Sequence, residues 1–355
     1  MERREFLRAM LYSAGVVPEW LVAQSALLRR NAGTSFAFQV PALRELVTAN
    51  ADFFVRNHFR TPHIDVDAWN LEVNGLVSTP LKLAYDDLVL MPSVRLTITM
   101  ECAGNVSGGA GVGNAVWSGV PLAEVLRQAG LKSGATTVVF HGADSGEGEG
   151  LPPNTHYARA IPLEKAMEAS TLLAYEMNGS DLPSDHGFPL RAFVGGWYGM
   201  DSVKWLTRIE IMDRPFQGYF QQKHYVAIRD NAERRVITRM LVNSKFLRPS
   251  EGEEIAAKPY RVEGVAWAGQ RKIAKVELRL GQGGGWQPAT VPATSAAMTW
   301  TTWSFDWRIP APGKYTLEVR ATDDEGHAQP DARESDRQDA YEFNAPHRIT
   351  VTVRS

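Results

Sequence analysis

The chain of 355 residues holds a single cysteine, Cys102. One thiol excludes an intrachain disulfide, and it excludes any zinc or iron–sulfur site built from several thiolates. No apolar run approaches the roughly 18 uninterrupted residues of a membrane-spanning helix. Charge of one sign is also missing. Lys and Arg number 38 against 40 Asp and Glu, a net charge of −2, so no global basic field points to nucleic acid or a membrane surface. Several catalytic signatures are absent: there is no HExxH, no GxSxG after a strand and no GxGxxG opening a helix. A Cys–His–Asn protease needs a helix starting at its cysteine, and glycines follow this one. Base-stacking nucleic-acid modules interleave aromatics with basic residues, and no stretch does so convincingly.

What is present is ordinary globular text, with 44% hydrophobic and 22% charged residues. At about 100–200 residues per domain, the length suggests two domains. Residues 1–35 hold Arg3-Arg4 followed by Phe6-Leu7, which fits a twin-arginine export signal and predicts a periplasmic protein. Pro18 and Glu19 interrupt the apolar region behind it. The alternative is an ordinary basic N-terminus leading into a short amphipathic helix of a cytoplasmic protein.

Residues 36–246 mix strands and helices, an α+β pattern. WNLEVNGLV alternates like a strand, and TTVVFHGAD reads as a buried strand. PLAEVLRQAGL is a helix between Pro121 and Gly130. Asn178-Gly179 signals a hairpin turn. Polar, aperiodic text from Leu247 to Pro259 marks a boundary. Residues 247–355 then show only strand signals at sandwich-like spacing, which predicts an immunoglobulin-like β-sandwich. Gly281 to Gly285 fits a hairpin tip, since no Lys-Ser/Thr and no helix follow.

Four clusters carry candidate chemistry. In FFVRNHFRTP, Arg56, His58 and Arg60 alternate, so an extended segment would put them on one side. That row is either a solvated strand face or an anion site. In ECAGN, Cys102 follows an apolar strand and precedes a run of glycines that lets backbone approach a ligand. A thiolate there suits a soft or high-valent metal, but one thiolate cannot hold a metal ion tightly, so other ligands would come from a cofactor. In SDHGFPLRAFVGGWYGMDSVKWL, His186, Arg191 and Lys204 stand beside glycine loops, as a phosphate-bearing ligand would need; a structural histidine is the plainer reading of His186. In YFQQKHYVAI, Tyr219 and Tyr225 could donate a hydrogen bond near a cofactor or simply pack.

In this order the clusters resemble the sulfite oxidase family of molybdenum enzymes. FVRNH, ECAGN, WSGVPLAEVL, IPLEKA, LLAYEMNG, LPSDHGFPLR and SVKWLTRIEI are similar to its cofactor domain. GVAWAGQRKIAKVEL, WRIPAPGKYTLEVRATD and NAPHRITV are similar to its dimerisation domain, which implies a homodimer. The resemblance covers most of the chain after about Phe53.

It implies a molybdopterin cofactor, a pyranopterin whose dithiolene holds molybdenum, with Cys102 as the protein's metal ligand. It implies Arg56 and Tyr225 as the active-site arginine and tyrosine. Phe54, Val55, Arg56, Asn57, His58, Asp144, His186, Arg191, Ser202, Val203 and Lys204 match positions that hold the pterin and its phosphate. The implied reaction is oxygen-atom transfer, sulfite to sulfate, with electrons leaving singly. No haem-binding domain is expected ahead of the molybdenum domain, so the implied acceptor is a separate partner such as a c-type cytochrome.

This sequence departs from the family in one place. Val106 and Ser107 stand where animal members carry an arginine pair, in a shortened loop that also loses a pocket tryptophan. A lost charge-assisted contact to an anion is worth roughly 1.5–3 kcal/mol. The departure leaves open a reductase of S-oxides, N-oxides or nitrate on the same cofactor. A non-enzymatic binding protein with a vestigial site is the third reading.

Overall fold

Alternation of apolar residues builds the first sheet. In the strand Asn70–Gly75, Leu71 and Val73 are buried and Glu72 points to solvent, the period of two that a half-buried strand requires. The computed structural model describes residues 47–355 except 149, 282 and 283. The export motif lies outside the described residues.

Asn70–Gly75 is the second strand of a five-stranded sheet, in the order Leu81–Ala84, Asn70–Gly75, Leu206–Met212, Thr137–Gly146 and Thr155–Pro162. Its pairing with Leu206–Met212 is parallel, and the other neighbours run antiparallel. A second sheet orders Val94–Glu101, Val112–Pro121, Thr171–Met177 and Ser180–Asp181, and Arg191–Val194 also pairs with Thr171–Met177. The turn before Ser180 uses Asn178 at φ 54° and Gly179 at φ 78°, the left-handed pair of a two-residue hairpin.

Helices are few and short among the described residues. They are α1 (Tyr85–Leu90), α2 (Leu122–Ala129) and α3 (Leu163–Ala166). Helix α2 follows Pro121, ends at Gly130 and buries Leu122, Val125, Leu126 and Ala129, as its sequence pattern dictates. Pro has no N–H to donate, which makes it harmless before the first turn.

The C-terminal part is a β-sandwich. Asn243–Arg248, Tyr260–Trp267 and Thr301–Trp307 form one sheet. The other orders Glu254–Ala256, His347–Arg354, Gly313–Asp323, Ile273–Leu280 and Gln287–Pro288. Val262, Val276, Leu317, Val319, Val351 and Trp303 fill the space between them. The polar stretch Leu247 to Pro259 contains the short strand Glu254–Ala256, and the strand before it already belongs to the sandwich.

The two parts are joined by a small apolar cluster. Val112 packs with Val265, Trp267 and Trp300 of the sandwich. Burying such side chains stabilises by about 1.5–3 kcal/mol each. The junction lies at the end of the strand Val94–Glu101, which ends one residue before Cys102.

Candidate active site

Cys102 begins the turn between two antiparallel strands. Its N–H donates to Gly111 O at 2.8 Å, and its carbonyl accepts from Asn105 N at 2.9 Å. Those bonds hold the half-buried thiol at the wall of an open-mouthed cavity. Burial pushes the thiol up from its ordinary value, while the Gly104 N–H and Arg56 pull the other way.

The residues singled out by sequence converge on this cavity, except Val55, Arg60, Val203 and Tyr219. Phe54, Arg56, Asn57 and His58 line it from one irregular segment. Asp144 and Arg191 arrive from the strands Thr137–Gly146 and Arg191–Val194, and His186, Ser202, Lys204 and Tyr225 from the turns and loops around them. Val55 is 49% exposed and Val203 is fully buried, and neither side chain lines the cavity. Arg60 is exposed and stays outside it. The segment is not a strand, so the expected alternation of Arg56, His58 and Arg60 does not apply.

One wall gathers cations that form no ion pair among the described residues, with the Asp144 and Asp185 carboxyls near Lys204. Arg191 is buried, donating from Nη1 to His186 O at 3.1 Å and from Nη2 to Ser202 O at 2.9 Å. Its guanidinium also lies 5.3 Å from the Trp117 ring. Burial lowers its pKa to about 9. Lys204 donates to Asp185 O at 2.7 Å and to Asn57 Oδ1. Burial, then Arg191, brings Lys204 down to about 7, and the same two causes bring His186 to about 4. The cations come together because Gly187, at φ 112°, has no side chain. A Cβ there would sit 3.1 Å from Arg191 Cβ and 3.2 Å from Lys204 Cα.

Two buried polar atoms on this wall have no hydrogen-bond partner, Arg191 Nε and Asp144 Oδ1. Burial raises Asp144 to about 6. An unmet buried group costs about 1–3 kcal/mol, so each such atom calls for an explanation. A ligand with an anionic end and N–H donors answers both, and a pterin phosphate has that chemistry. The residues present therefore fit the group the resemblance implied.

His58 has a partner that sequence did not reveal. Its Nε2 meets Tyr225 Oη at 2.7 Å, and its ring stacks on Tyr157 at 5.2 Å. Burial first, then Arg56, lowers His58 to about 3, so the imidazole is neutral. Burial raises the Tyr225 phenol, so both groups are neutral and the imidazole tautomer sets which of them donates. The phenol oxygen remains open as an acceptor.

Arg159 supports Tyr225 from behind. It is fully buried, with Nε at 2.8 Å and Nη2 at 2.7 Å from Asp201 Oδ1. Its Nη1 donates to Phe220 O, and its guanidinium lies 5.5 Å from the Tyr225 ring. Sequence reading missed Arg159, and it missed Tyr157, Met100 and Trp205 on the cavity wall. It also missed Tyr341, whose ring centre lies 5.3 Å from that of Tyr225. Period-two placement in THYARAIP could have drawn attention to Tyr157 and Arg159. Nothing near Tyr341 in sequence signals a site.

Comparisons with known proteins agree with this geometry. Residues 58–220 match the oxidoreductase molybdopterin binding domain, and residues 234–353 match the Mo-co oxidoreductase dimerisation domain. The chain is 34% identical over 320 residues to mitochondrial sulfite oxidase of Homo sapiens, covering 80% of this chain and 57% of that one. It is 30% identical over 363 residues to nitrate reductase [NADH] 1 of Arabidopsis thaliana, covering 88% of this chain and 39% of that one. The chain thus spans little more than half the length of the first and less than half of the second. The crystal structure of the sulfane dehydrogenase SoxCD from Paracoccus pantotrophus superposes with a TM-score of 0.80 at 26% identity, covering 89% of this chain and 85% of that one. Two matched domains in family order, over a cavity with a single thiol and a cationic wall, place the chain in the sulfite oxidase family of molybdopterin-binding oxidoreductases.

Proposed function

We propose that the chain oxidises sulfite to sulfate and passes the electrons to an external acceptor such as a c-type cytochrome. One observation carries this reading. The Arg56 guanidinium, the Cys102 thiol and the Tyr225 phenol line one cavity, so an oxyanion donor, a metal ligand and a proton-bearing group share the same space.

Cys102 would be the protein's ligand to the metal, and ligation keeps a thiolate deprotonated. Arg191, Lys204, Asn57, Ser202, His186 and Asp144 would hold the pterin and its phosphate, with Phe54 against it. Val55 and Val203 would contribute through backbone. When bound, the group supplies a molybdenum that exchanges an oxygen atom and two electrons with substrate. Sulfite and water give sulfate, two protons and two electrons, and two one-electron acceptors are reduced. Arg56 orients the oxyanion through its planar fork of donors. Tyr225, fixed by His58, presents its oxygen to order the incoming water.

The test is molybdenum and pterin content of wild type and Cys102→Ser side by side, with sulfite-dependent reduction of ferricyanide or cytochrome c. We expect about one molybdenum per chain in wild type. Loss of activity in the variant should exceed the roughly 10–100-fold typical of outer-shell changes. Metal-loaded wild type that is inert to sulfite rejects the substrate. An empty, well-folded wild type favours the binding-protein reading.

A reductase of S-oxides, N-oxides or nitrate is the second reading. The plant nitrate reductase relative favours nitrate, and the loop after Cys102 favours neutral S-oxides and N-oxides. Val106 is 56% exposed, and the Ser107 hydroxyl donates to Ala345 O at 2.8 Å, so neither offers an anion the contact an arginine would. Dye-driven reduction of nitrate or methionine sulfoxide, without sulfite turnover, would decide for it. We further propose a homodimer through the C-terminal sandwich, and periplasmic export through Arg3-Arg4, which Arg3→Lys with Arg4→Lys should block in cell fractionation.

A further inference from the structure

We infer that Glu101 is a positioning residue through which the C-terminal sandwich fixes the orientation of the Cys102 side chain. This rests on Cys102 being the metal's protein ligand. Glu101 is 2% exposed and faces the junction between the two parts. Its Oε1 accepts from Asn105 Nδ2 at 3.0 Å and from Asn243 Nδ2 at 3.2 Å. Its Oε2 accepts from Trp267 Nε1 at 2.9 Å. Asn243 and Trp267 are register partners on adjacent sandwich strands, so two of the three donors are set by one sheet.

The circuit closes on the thiol. Asn105, held by Glu101, uses Oδ1 to accept from Gly111 N at 2.9 Å. Gly111 O in turn accepts from Cys102 N at 2.8 Å. The sandwich grips the same loop at four further points. Glu342 N donates to Ala103 O at 2.9 Å. Ser107 Oγ reaches Ala345 O, and Lys245 Nζ reaches Gly109 O at 3.3 Å. Gly108 lies so close to His347 that a Cβ would fall 2.1 Å from His347 Nε2. A carboxylate with three N–H donors is matched in number and geometry. An amide in its place must turn an N–H against one of those donors. Outer groups that orient a metal ligand change affinity or activity by roughly 10–100-fold when lost.

The test uses holoenzyme of wild type, Glu101→Gln and Trp267→Phe, with melting temperature, molybdenum content, the electron paramagnetic resonance spectrum of the half-reduced metal and steady-state kinetics. Wild type that lacks molybdenum, or Cys102→Ser that keeps the wild-type metal–sulfur signature, defeats the ligand assignment on which the inference stands. With that assignment secure, both variants should shift the resonance spectrum. Each should lower kcat roughly 10-fold or more with little change in KM. The double variant should shift no further than either alone, because both act through one contact. Trp267→Phe keeps an aromatic ring in the apolar junction and serves if Glu101→Gln does not fold. Loaded Trp267→Phe with a wild-type spectrum and kinetics, whatever its melting temperature, overturns the inference.

Discussion

The two parts of the chain treat charge in opposite ways. Around the cavity, Arg191, Lys204, His186 and Asp144 are buried, and burial is the first cause of every one of their shifts. In the sandwich, charges are matched. Burial alone would raise Glu318, yet hydrogen bonds from Arg279 and Arg348 outweigh it and hold the carboxyl below the usual range. Glu277 is held down in the same way by Lys275 and Arg320. The first arrangement is unfavourable without a ligand, whereas Glu318 and Glu277 of the sandwich each have cationic partners. Groups left unmet inside a protein mark where something else is meant to bind.

The largest expected effect tests the buried pair that does have its partner. Arg159→Met leaves the Asp201 carboxyl buried and alone, and should destabilise by about 3–5 kcal/mol. Denaturant unfolding reads the loss. The Tyr225 side should loosen with it, since Arg159 also holds Phe220 O. A loss below about 1 kcal/mol would break the contrast.

Asp144→Asn should do the reverse in cofactor-free protein, stabilising it by about 1–2 kcal/mol near pH 7.5. The sign follows from the raised folded-state value of about 6 against an ordinary 3.8. Above pH 6 the buried carboxylate is charged and the penalty is full. About one unit below 3.8 both states are protonated and the gain vanishes. Melting curves at the two pH values check this, and pterin retention should fall in the same variant.

The smallest effect belongs to the sandwich. Glu318→Gln should cost less than about 1 kcal/mol, because the Arg348 and Arg279 side chains are 67% and 34% exposed. Added salt should shrink the difference further. A loss as large as that of Arg159→Met would mean the two kinds of charge are not distinct.

Much of this was legible in the residues. Period-two and period-3.6 patterns placed Asn70–Gly75, helix α2 and the sandwich strands, because each buries one face. Glycine, proline and asparagine marked the turns, since they fit those backbone angles at little cost. Most of the cavity wall followed from clustered motifs. What stayed hidden depends on long-range contact. His58 meets Tyr225 across 167 positions, and Trp267 meets Glu101 across 166. The irregular path of residues 54–60 answers to what the segment packs on, and no local preference encodes that.

Tyr341 beside Tyr225, and the Glu342 backbone bonded to Ala103, give the molecule a seam that cannot be cut cleanly. Chimeras that exchange the sandwich for that of a relative would replace the ring behind Tyr225 and the bond that holds Ala103. Selectivity should then travel with the transplanted half, even with every residue before position 242 left untouched.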